Sequence, residues 1–285
     1  MTTVRLTENY KTDGCVLVLG GFDGVHIGHR RLIERAKKEG KSVGITTIIG
    51  GKGEGLFTLN ERLVVYAALG VDFAVWMRFD EIKETPPIDF LTKLNETFSP
   101  LLYVCGDDFR FGKGALGNPQ TIIEQGMPVA VENLLCVDGE KVSTRTLKGL
   151  LAAGEIEKVN KLLGFSYFLL GEVVHGRQVG RQMGFPTANI AYPTDKTPLR
   201  SGVYAVQSVV DGRVYKGIAN FGAQPTFDKN EVRLEVYLDG FDGDLYGKTL
   251  QVEFVSYIRP VQKFADMQAL QMQLEKDVQK VREND

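Results

Sequence analysis

Two of the three histidines in the chain, His26 and His29, stand three residues apart with Gly28 between them. They follow the apolar run CVLVLGGF, and a segment with helical spacing begins near Gly28. The stretch FDGVHIG therefore falls in a loop between a strand and a helix, and His29 follows at the helix start. The first amides of a helix attract anions, and imidazoles beside them can donate hydrogen bonds to phosphate oxygens. The pattern predicts phosphate chemistry. The alternative is a pair of ordinary histidines that cap a helix.

The elements around this loop predict an α/β domain with a parallel sheet. Apolar runs and helical patterns alternate through the first half of the chain, which favours parallel strands joined by right-handed crossovers. Thr58 and Glu61 form a capping box at the start of one predicted helix. Strands are predicted at 15–22, 42–49, 72–79, 101–106 and 127–133, and helices at 28–38, 58–69, 87–98 and twice between 144 and 163.

The second half has a different pattern, in which short strands alternate with glycine-rich loops. This spacing favours a small antiparallel β-barrel with a hairpin turn at Asp211-Gly212. The strands are predicted at 167–176, 202–210, 213–222, 232–238 and 248–258. A C-terminal helix is expected to lie across the barrel through apolar residues at helical spacing, which are Phe264, Met267, Leu270, Leu274 and Val278. The predicted domains are 1–164 and 165–285.

Composition and charge limit the partners. The net charge is −2 and the pI is near 6.0, so the chain as a whole gives no electrostatic reason to bind nucleic acid. No apolar run is long enough to span a membrane, and residues 1–14 lack the apolar core of a signal peptide. Three widely spaced cysteines favour buried thiols, so we expect a cytoplasmic protein. Nothing in the sequence fixes its oligomeric state.

Longer strings around the histidine pair are more specific. GFDGVHIGH, together with CGDDFRFGKGALGN, resembles the adenylyltransferase half of bacterial bifunctional riboflavin kinase/FAD synthetases. The resemblance implies a Rossmann-like nucleotidyltransferase domain, in which the phosphate of FMN attacks the α-phosphorus of ATP and expels pyrophosphate. It also implies that His26 and His29 support catalysis, and that Gly21, Phe22 and Gly28 bind ATP.

Two further segments extend the resemblance. Asp108 matches a position that contacts the flavin nucleotide in that family, and the alternative is a turn-capping aspartate. The segment STRTLK falls where the family has Ser-Ser-Thr-x-x-Arg, with Ser143, Thr144 and Lys148 at the first, second and last positions. These residues are expected to bind the triphosphate, and the alternative is a simple N-cap with a solvated lysine.

The first half departs from the family in two places. The family normally has Thr-Phe-x-Pro-His-Pro after its second strand, whereas this chain has TTIIGGKGEG, without a histidine or proline. Lys148 replaces the final arginine of the other segment, and a lysine cannot reproduce bidentate phosphate contacts. Two alternatives to a bifunctional enzyme therefore remain: a riboflavin kinase with an impaired adenylyltransferase domain, and a non-catalytic flavin-binding sensor.

The segment GRQVGRQMGFPTANI closely resembles the signature of riboflavin kinases. The resemblance implies that Gly180 and Arg181 bind ATP. Thr187 supplies a hydroxyl and Asn189 an amide oxygen, and both are hard oxygen ligands of the kind that Mg²⁺ accepts. We therefore expect ATP to bind at this segment together with Mg²⁺.

Two residues beyond this segment complete the expected kinase site. Glu235 matches the family's proposed base, which takes the proton of the ribityl 5′-hydroxyl as that oxygen attacks the γ-phosphate. Alternation alone would make it a solvent-facing strand glutamate. Arg259, in YIRP, is expected to meet flavin or phosphate, with a solvated arginine as the alternative. The predicted protein is a bifunctional enzyme that uses riboflavin, FMN and ATP and has no nucleic-acid or membrane partner.

Overall fold

The computed structural model describes residues 1–8, 10–51, 53–133, 136–137, 140–176, 180, 184–223 and 232–283. The chain divides into two compact units, Met1–Thr146 and Leu147–Asp285. The predicted division at 164/165 falls later in the chain, after two helices that pack in the second unit. In one of these helices the side-chain amide of Asn160 donates to the carbonyl oxygen of Phe254 at 2.9 Å. The domain boundary therefore stays a prediction.

The first unit is built on a six-stranded parallel sheet. Its strands are β1 (Thr2–Arg5), β2 (Cys15–Val18), β3 (Ser42–Ile49), β4 (Phe73–Arg78), β5 (Pro100–Gly106) and β6 (Val129–Glu132). Their order is β1-β4-β3-β2-β5-β6, so the chain moves outward from β2 to β4 and then returns to β5 on the other side of β2. Open α/β sheets bind ligands where the strand order reverses in this way, at the carboxyl ends of the strands.

Helices connect and follow these strands. They are α1 (Ile27–Lys37), α2 (Leu59–Ala68), α3 (Phe79–Ile82), α4 (Pro87–Phe98), α5 (Pro119–Glu124), α6 (Thr144–Ala153) and α7 (Ile156–Leu163). A two-stranded ladder, β7 (Cys136–Val137) with β8 (Glu140–Lys141), precedes α6. The predicted capping box is present at α2, where the Thr58 hydroxyl and the Glu61 carboxylate each accept a backbone N–H of the other residue. The elements β1, α3 and α5 were not predicted, because four to six residues give too little periodicity to detect.

Burial follows the apolar patterns of the first half. All four residues of β2 are buried, as expected for a central parallel strand covered on both faces. Helix α4 buries Phe90, Leu91, Leu94 and Phe98, which recur at helical spacing and join the core of the first unit. This packing holds the carboxyl end of β2, and the loop that follows it, in a fixed place.

The second unit contains a closed antiparallel barrel, as predicted. Its strands are β9 (Phe168–Val174), β10 (Ala188–Ala191), β11 (Gly202–Val210), β12 (Arg213–Ala223), β13 (Val232–Leu238) and β14 (Thr249–Arg259). They close in the order β10-β13-β12-β11-β14-β9. The hairpin between β11 and β12 has positive φ at Asp211 and Gly212, the pattern of a type I′ turn. Strand β10 was not predicted, because four residues show too little alternation to detect.

The C-terminal helix α8 (Met267–Glu283) packs on the outside of this barrel. Leu274 and Val278 contact the barrel as expected, whereas Met267 is half exposed. Val281, one turn after Val278, is buried in the same cluster and was not predicted. Among the described helices, none has an apolar stretch long enough to cross a membrane.

Candidate active sites

A cavity of about 300 Å³ opens at the carboxyl ends of β2 and β5, where the strand order of the first sheet reverses. Loops after β2, β5 and β6 line it, together with the first turns of α1 and α6. Seven residues predicted to bind nucleotide or flavin line this cavity, which are Gly21, His26, Gly28, His29, Asp108, Ser143 and Thr144. The fold therefore brings together segments that are more than a hundred residues apart in the chain.

His26 is both the N-cap of α1 and a wall of the cavity. Its backbone is extended, and its Nδ1 accepts the backbone N–H of His29 at 3.4 Å. In the neutral ring the proton therefore lies on Nε2, which can donate to an anion. The two interpretations of the sequence are compatible, because one nitrogen caps the helix and the other remains for phosphate.

His29 has the opposite tautomer. Its Nδ1 lies 2.7 Å from the carbonyl oxygen of Gly24, which can only accept, so Nδ1 carries the proton. The ring stacks on His26, with 3.8 Å between centroids and 16° between planes. In the neutral ring Nε2 is an acceptor. His29 therefore donates to a phosphate through Nε2 only after it gains a second proton.

Burial keeps both imidazoles neutral in the ligand-free protein. Burial, together with positive charge on His29 and Lys141, lowers the pKa of His26 to about 3. It lowers the pKa of His29 to about 4, although the Gly24 carbonyl and the carboxylates of Asp108 and Asp23 partly offset this effect. A bound triphosphate would raise both pKa values by adding negative charge. Positive charge then develops where the phosphates lie.

Lys141 is a cavity residue that sequence reasoning missed. Its Nζ lies 2.5 Å from Oδ2 of Asp108, and both side chains are about half exposed. Exposed ion pairs contribute little free energy, so Lys141 can exchange Asp108 for a phosphate at low cost. The sequence did show a lysine shortly before Ser143, but only the fold places it beside Asp108.

Helix α6 presents a second helix N-terminus to the cavity. The Ser143 hydroxyl accepts the backbone N–H of Thr146 at 3.2 Å, which makes Ser143 the N-cap, and Thr144 begins the helix. Ser143 and Thr144 both line the cavity, so capping and anion binding again share one segment. Lys148 follows one turn later on α6 and belongs to the second compact unit.

Phe22 is placed differently from the prediction. Its side chain is buried and does not line the cavity. Its ring packs against His29 with 4.6 Å between centroids. Gly20 makes room for that ring, because a Cβ at Gly20 would lie 2.6 Å from it. Phe22 therefore packs against the His29 ring, and its side chain does not line the cavity.

In the second unit, Glu235 lies in a row of polar residues on the outer face of the barrel. It is directly opposite Asn189 on β10 and Asn220 on β12. Its neighbours Leu234 and Val236 are buried, which directs Glu235 to the other face of β13. Glu235 itself is partly buried, so it is not the fully solvated glutamate that alternation alone would give.

Glycines bring the backbone close to this row. A Cβ at Gly176 would lie 2.2 Å from the side-chain nitrogen of Asn189, and Asn189 is 4% exposed. A Cβ at Gly180 would lie 2.2 Å from the carbonyl oxygen of Phe185 and 3.6 Å from the Thr187 side chain. Gly180 is thus close to Thr187, and Gly176 to Asn189. Arg181, also predicted to bind ATP, lies outside the described residues.

Arg259 is engaged by α8 rather than solvated. Its Nε lies 2.9 and 3.1 Å from the two carboxylate oxygens of Asp277, and its Nη2 lies 2.7 Å from one of them. Asp277 is fully buried, and Gln273 also donates to it at 2.9 Å. Arg259 on β14 is paired in register with Val203 on β11, and Val203 is paired with Asn220 on β12. Because Asn220 is opposite Glu235, Arg259 lies in the same row across the barrel.

Comparisons with known proteins agree with both halves of the chain. A family model described as FAD synthetase matches residues 8–146, and one described as riboflavin kinase matches residues 163–284. A bifunctional riboflavin kinase/FMN adenylyltransferase from Escherichia coli (strain K12) is 33% identical, over 95% of this chain and 93% of its own length. The protein of the same description from Bacillus subtilis (strain 168) is 32% identical, over 93% and 90%.

A solved structure shares the fold over almost the whole chain. The crystal structure of a protein named as a macrolide-efflux protein from Streptococcus pneumoniae superimposes with a TM-score of 0.88. It is 25% identical to this chain, and the match covers 99% of each. Both units therefore occur together, in the same chain order, in a protein that has been crystallised.

The depressed pKa values of the histidines predict acid destabilisation of the first unit. The folded His29 titrates near pH 4 and the unfolded one near its ordinary pKa of 6.5. The unfolded state therefore binds more protons between these pH values, and the free energy of unfolding falls as the pH is lowered through this window. We expect His29→Asn, whose amide still donates to Gly24, to reduce that slope by roughly 1 kcal/mol per pH unit in urea unfolding. Parallel curves for wild type and variant would contradict the assignment.

The buried pair of Arg259 and Asp277 predicts a large, asymmetric stability effect. Asp277→Asn leaves the guanidinium without its charge partner and is expected to cost about 3 kcal/mol in thermal unfolding of the second unit. Replacing both partners, as in Arg259→Met with Asp277→Leu, should recover most of that loss.

The matched control is the exposed pair of Arg282 and Asp239, whose charged groups approach within 2.7 Å on the same helix and barrel. Arg282→Ala is expected to cost less than about 1 kcal/mol. An equal loss for Asp277→Asn and Arg282→Ala would show that burial of the first pair contributes nothing.

Proposed function

The chain belongs to the family of bifunctional riboflavin kinases/FMN adenylyltransferases, and from that premise we propose how its residues divide the chemistry. The enzyme phosphorylates riboflavin to FMN with ATP, and it transfers AMP from a second ATP to FMN to form FAD. We assign adenylyl transfer to residues 1–164 and phosphorylation to residues 165–285. The observation that carries the first assignment is the convergence of two stacked histidines and two helix N-termini on one cavity.

Adenylyl transfer needs charge neutralisation more than a base. An oxygen of the FMN phosphate forms a bond to the α-phosphorus of ATP while the bond to the β-phosphate oxygen breaks, and pyrophosphate leaves. That nucleophile is already an anion, so no proton has to be removed from it. We assign Nε2–H of His26 and the protonated form of His29 to the phosphate oxygens, whose charge grows in the transition state. The backbone at Gly21 and Gly28 allows the triphosphate to approach α1.

The remaining expected residues are assigned by the groups they carry; of these, Lys148 does not line the cavity and lies one turn further along α6. Ser143, Thr144 and Lys148 bind the triphosphate at the start of α6, where the helix dipole favours an anion. Asp108 contacts the flavin nucleotide. Lys141 leaves Asp108 for a phosphate group when substrate binds, which the half-exposed ion pair permits.

Phosphorylation has a different requirement, because its nucleophile is a neutral alcohol. The ribityl 5′-oxygen of riboflavin forms a bond to the γ-phosphorus as the bond to the β-phosphate oxygen breaks, and ADP leaves. We propose that Glu235, the carboxylate in the polar row of the barrel, accepts the proton of that hydroxyl. We assign Gly180 and Arg181 to ATP, and Arg259, which Asp277 holds, to the flavin or its phosphate.

We propose Mg²⁺ as the metal that accompanies ATP. Asn189, opposite Glu235, and Thr187, two residues before it in the chain, carry hard oxygens, and this donor set suits Mg²⁺. Among the described residues no cluster of histidine, cysteine and carboxylate side chains forms a metal cage, and Mg²⁺ is commonly held by few protein ligands plus substrate phosphates. When bound, it would neutralise charge on the transferred phosphoryl group.

The riboflavin kinase with an impaired adenylyltransferase domain is the second candidate. Its support is the lysine at position 148 and the glycine-rich stretch after β3. The intact histidine pair favours the bifunctional enzyme.

We also propose that the enzyme acts in the cytoplasm on riboflavin, FMN and ATP. The buried free thiols of Cys15 and Cys105, each with a raised pKa, support that location.

The two activities are expected to separate by mutation. Purified protein with MgATP and riboflavin, or with MgATP and FMN, is sampled over time and the flavins are separated by chromatography. His29→Ala should slow FAD formation roughly 100-fold or more and leave FMN formation intact. Glu235→Gln should slow FMN formation by about 100-fold or more and leave FAD formation from FMN intact.

The activity that each variant is expected to keep shows that the unaffected unit is folded in that sample. If the wild type forms FMN and no FAD, the second candidate replaces the first. Tight flavin binding without either product would mean that the protein is a sensor.

Metal dependence is tested separately. Removal of divalent ions with a chelator is expected to stop both reactions, and added Mg²⁺ to restore them, because unneutralised phosphates repel the attacking oxygen. FMN formation that continues at the same rate in excess chelator would contradict the assignment of Thr187 and Asn189.

A further inference from the structure

Every residue of the segment Gly20–Gly24, which leads into the histidine pair, is held by a hydrogen bond. The backbone of Gly20 bonds to the Thr46 hydroxyl at 2.9 and 3.0 Å. The Thr47 hydroxyl donates to the carbonyl oxygen of Gly21 at 3.1 Å. The two threonines at the end of β3 therefore fix the first half of the segment.

Helix α2 fixes the second half through two buried side chains one turn apart. The Tyr66 hydroxyl donates to the carbonyl oxygen of Phe22 at 2.9 Å. The Arg62 guanidinium donates to Oδ1 of Asp23 at 2.7 Å, and Arg62 is 5% exposed. Consecutive residues of the segment are thus held by residues i and i+4 of one helix face.

Arg62 also joins the segment to two neighbouring pieces of chain. Its Nη1 donates to the carbonyl oxygen of Ile48 at 2.7 Å, and its Nε donates to that of Phe57 at 3.0 Å. A Cβ at Gly55 would lie 3.0 Å from both the Arg62 Nη2 and the Asp23 Oδ1, so the loop between β3 and α2 lies directly against the ion pair. Only a planar guanidinium provides donors in all these directions.

The segment ends at the group that sets the tautomer of His29. The carbonyl oxygen of Gly24 accepts the backbone N–H of His26 and Nδ1 of His29, both at 2.7 Å. Its direction depends on the two residues before it. One of these, Phe22, has φ of +44°, a strained value for a residue with a side chain. Strained backbone of this kind persists only when its surroundings hold it.

We propose that Arg62 and Tyr66 are positioning residues for adenylyl transfer, which hold the Phe22-Asp23 turn so that the Gly24 carbonyl orients the histidine pair. The proposal rests on the adenylyltransferase function assigned above. Neither side chain lines the cavity, so both act through the segment. Loss of either contact lets the turn relax, and His29 then samples the other tautomer and other ring positions.

The test compares Tyr66→Phe and Arg62→Lys with Tyr103→Phe as the matched control. Tyr103 is also buried in the first unit, and its hydroxyl has no hydrogen-bond partner among the described residues. The readouts are kcat and KM for FAD formation, the ¹⁵N pattern of the His29 ring in the ligand-free protein, and FMN formation by the same samples. Because the proposed kinase site lies in the other unit, FMN formation corrects for the amount of protein, and the thermal midpoint reports whether the first unit is intact.

We expect Tyr66→Phe to lower kcat for FAD formation about 10-fold, and Arg62→Lys roughly 100-fold, with KM for ATP changed much less. The His29 ¹⁵N pattern should show a share of the Nε2–H tautomer in both variants. Tyr103→Phe should change neither readout.

A lower thermal midpoint in both variants, with wild-type kcat and an unchanged His29 tautomer, would reduce Arg62 and Tyr66 to structural residues and overturn the proposal. A wild type that makes no FAD would refute the proposed function instead. A tautomer shift in the variants would then still support their positioning role.

Discussion

The hydrogen bond from Nδ1 of His29 to the Gly24 carbonyl sets which ring nitrogen of His29 carries the proton at the cavity of the first unit. It places the ring proton on the side away from the cavity and leaves Nε2 as an acceptor until a second proton arrives. Burial makes that second proton unfavourable without an anion nearby. The ligand-free cavity therefore avoids the desolvation cost of two adjacent imidazolium ions. Positive charge forms when phosphate is present to stabilise it.

The two units meet different proton requirements with different residues. On the proposed assignments, the nucleophile in the first unit is a phosphate, so neutral His26, protonated His29 and the starts of α1 and α6 receive the negative charge. The nucleophile in the second unit is an alcohol, and Glu235 is the carboxylate assigned to take its proton. Strand register places this carboxylate between Asn189 and Asn220, whose side-chain amides can donate to phosphate oxygens. On these assignments, the anionic nucleophile meets imidazoles and the neutral nucleophile meets a carboxylate base.

Buried ion pairs hold the backbone around both sites. Arg62 joins Asp23 to the end of β3, and Asp277 joins Arg259 to α8. Pairs of this kind are weak evidence for stability, because desolvation offsets much of the attraction, but each fixes a direction that apolar packing would leave adjustable. They occur where a loop, at Asp23, and a strand end, at Arg259, lie next to polar residues.

The sequence by itself determined the local elements and the chemistry-bearing motifs. The bounds of β3 and α4, the capping box at Thr58, and the histidine pair between a strand and a helix all depend on residues near one another in the chain, so periodicity and capping rules identify them. Only the tertiary structure decided which distant side chains meet, such as Lys141 with Asp108. It also decided that the Phe22 ring lies beneath His29 and that Arg259 is engaged by Asp277. Strand order, register and helix docking set those distances, and none of the three is encoded by local propensity.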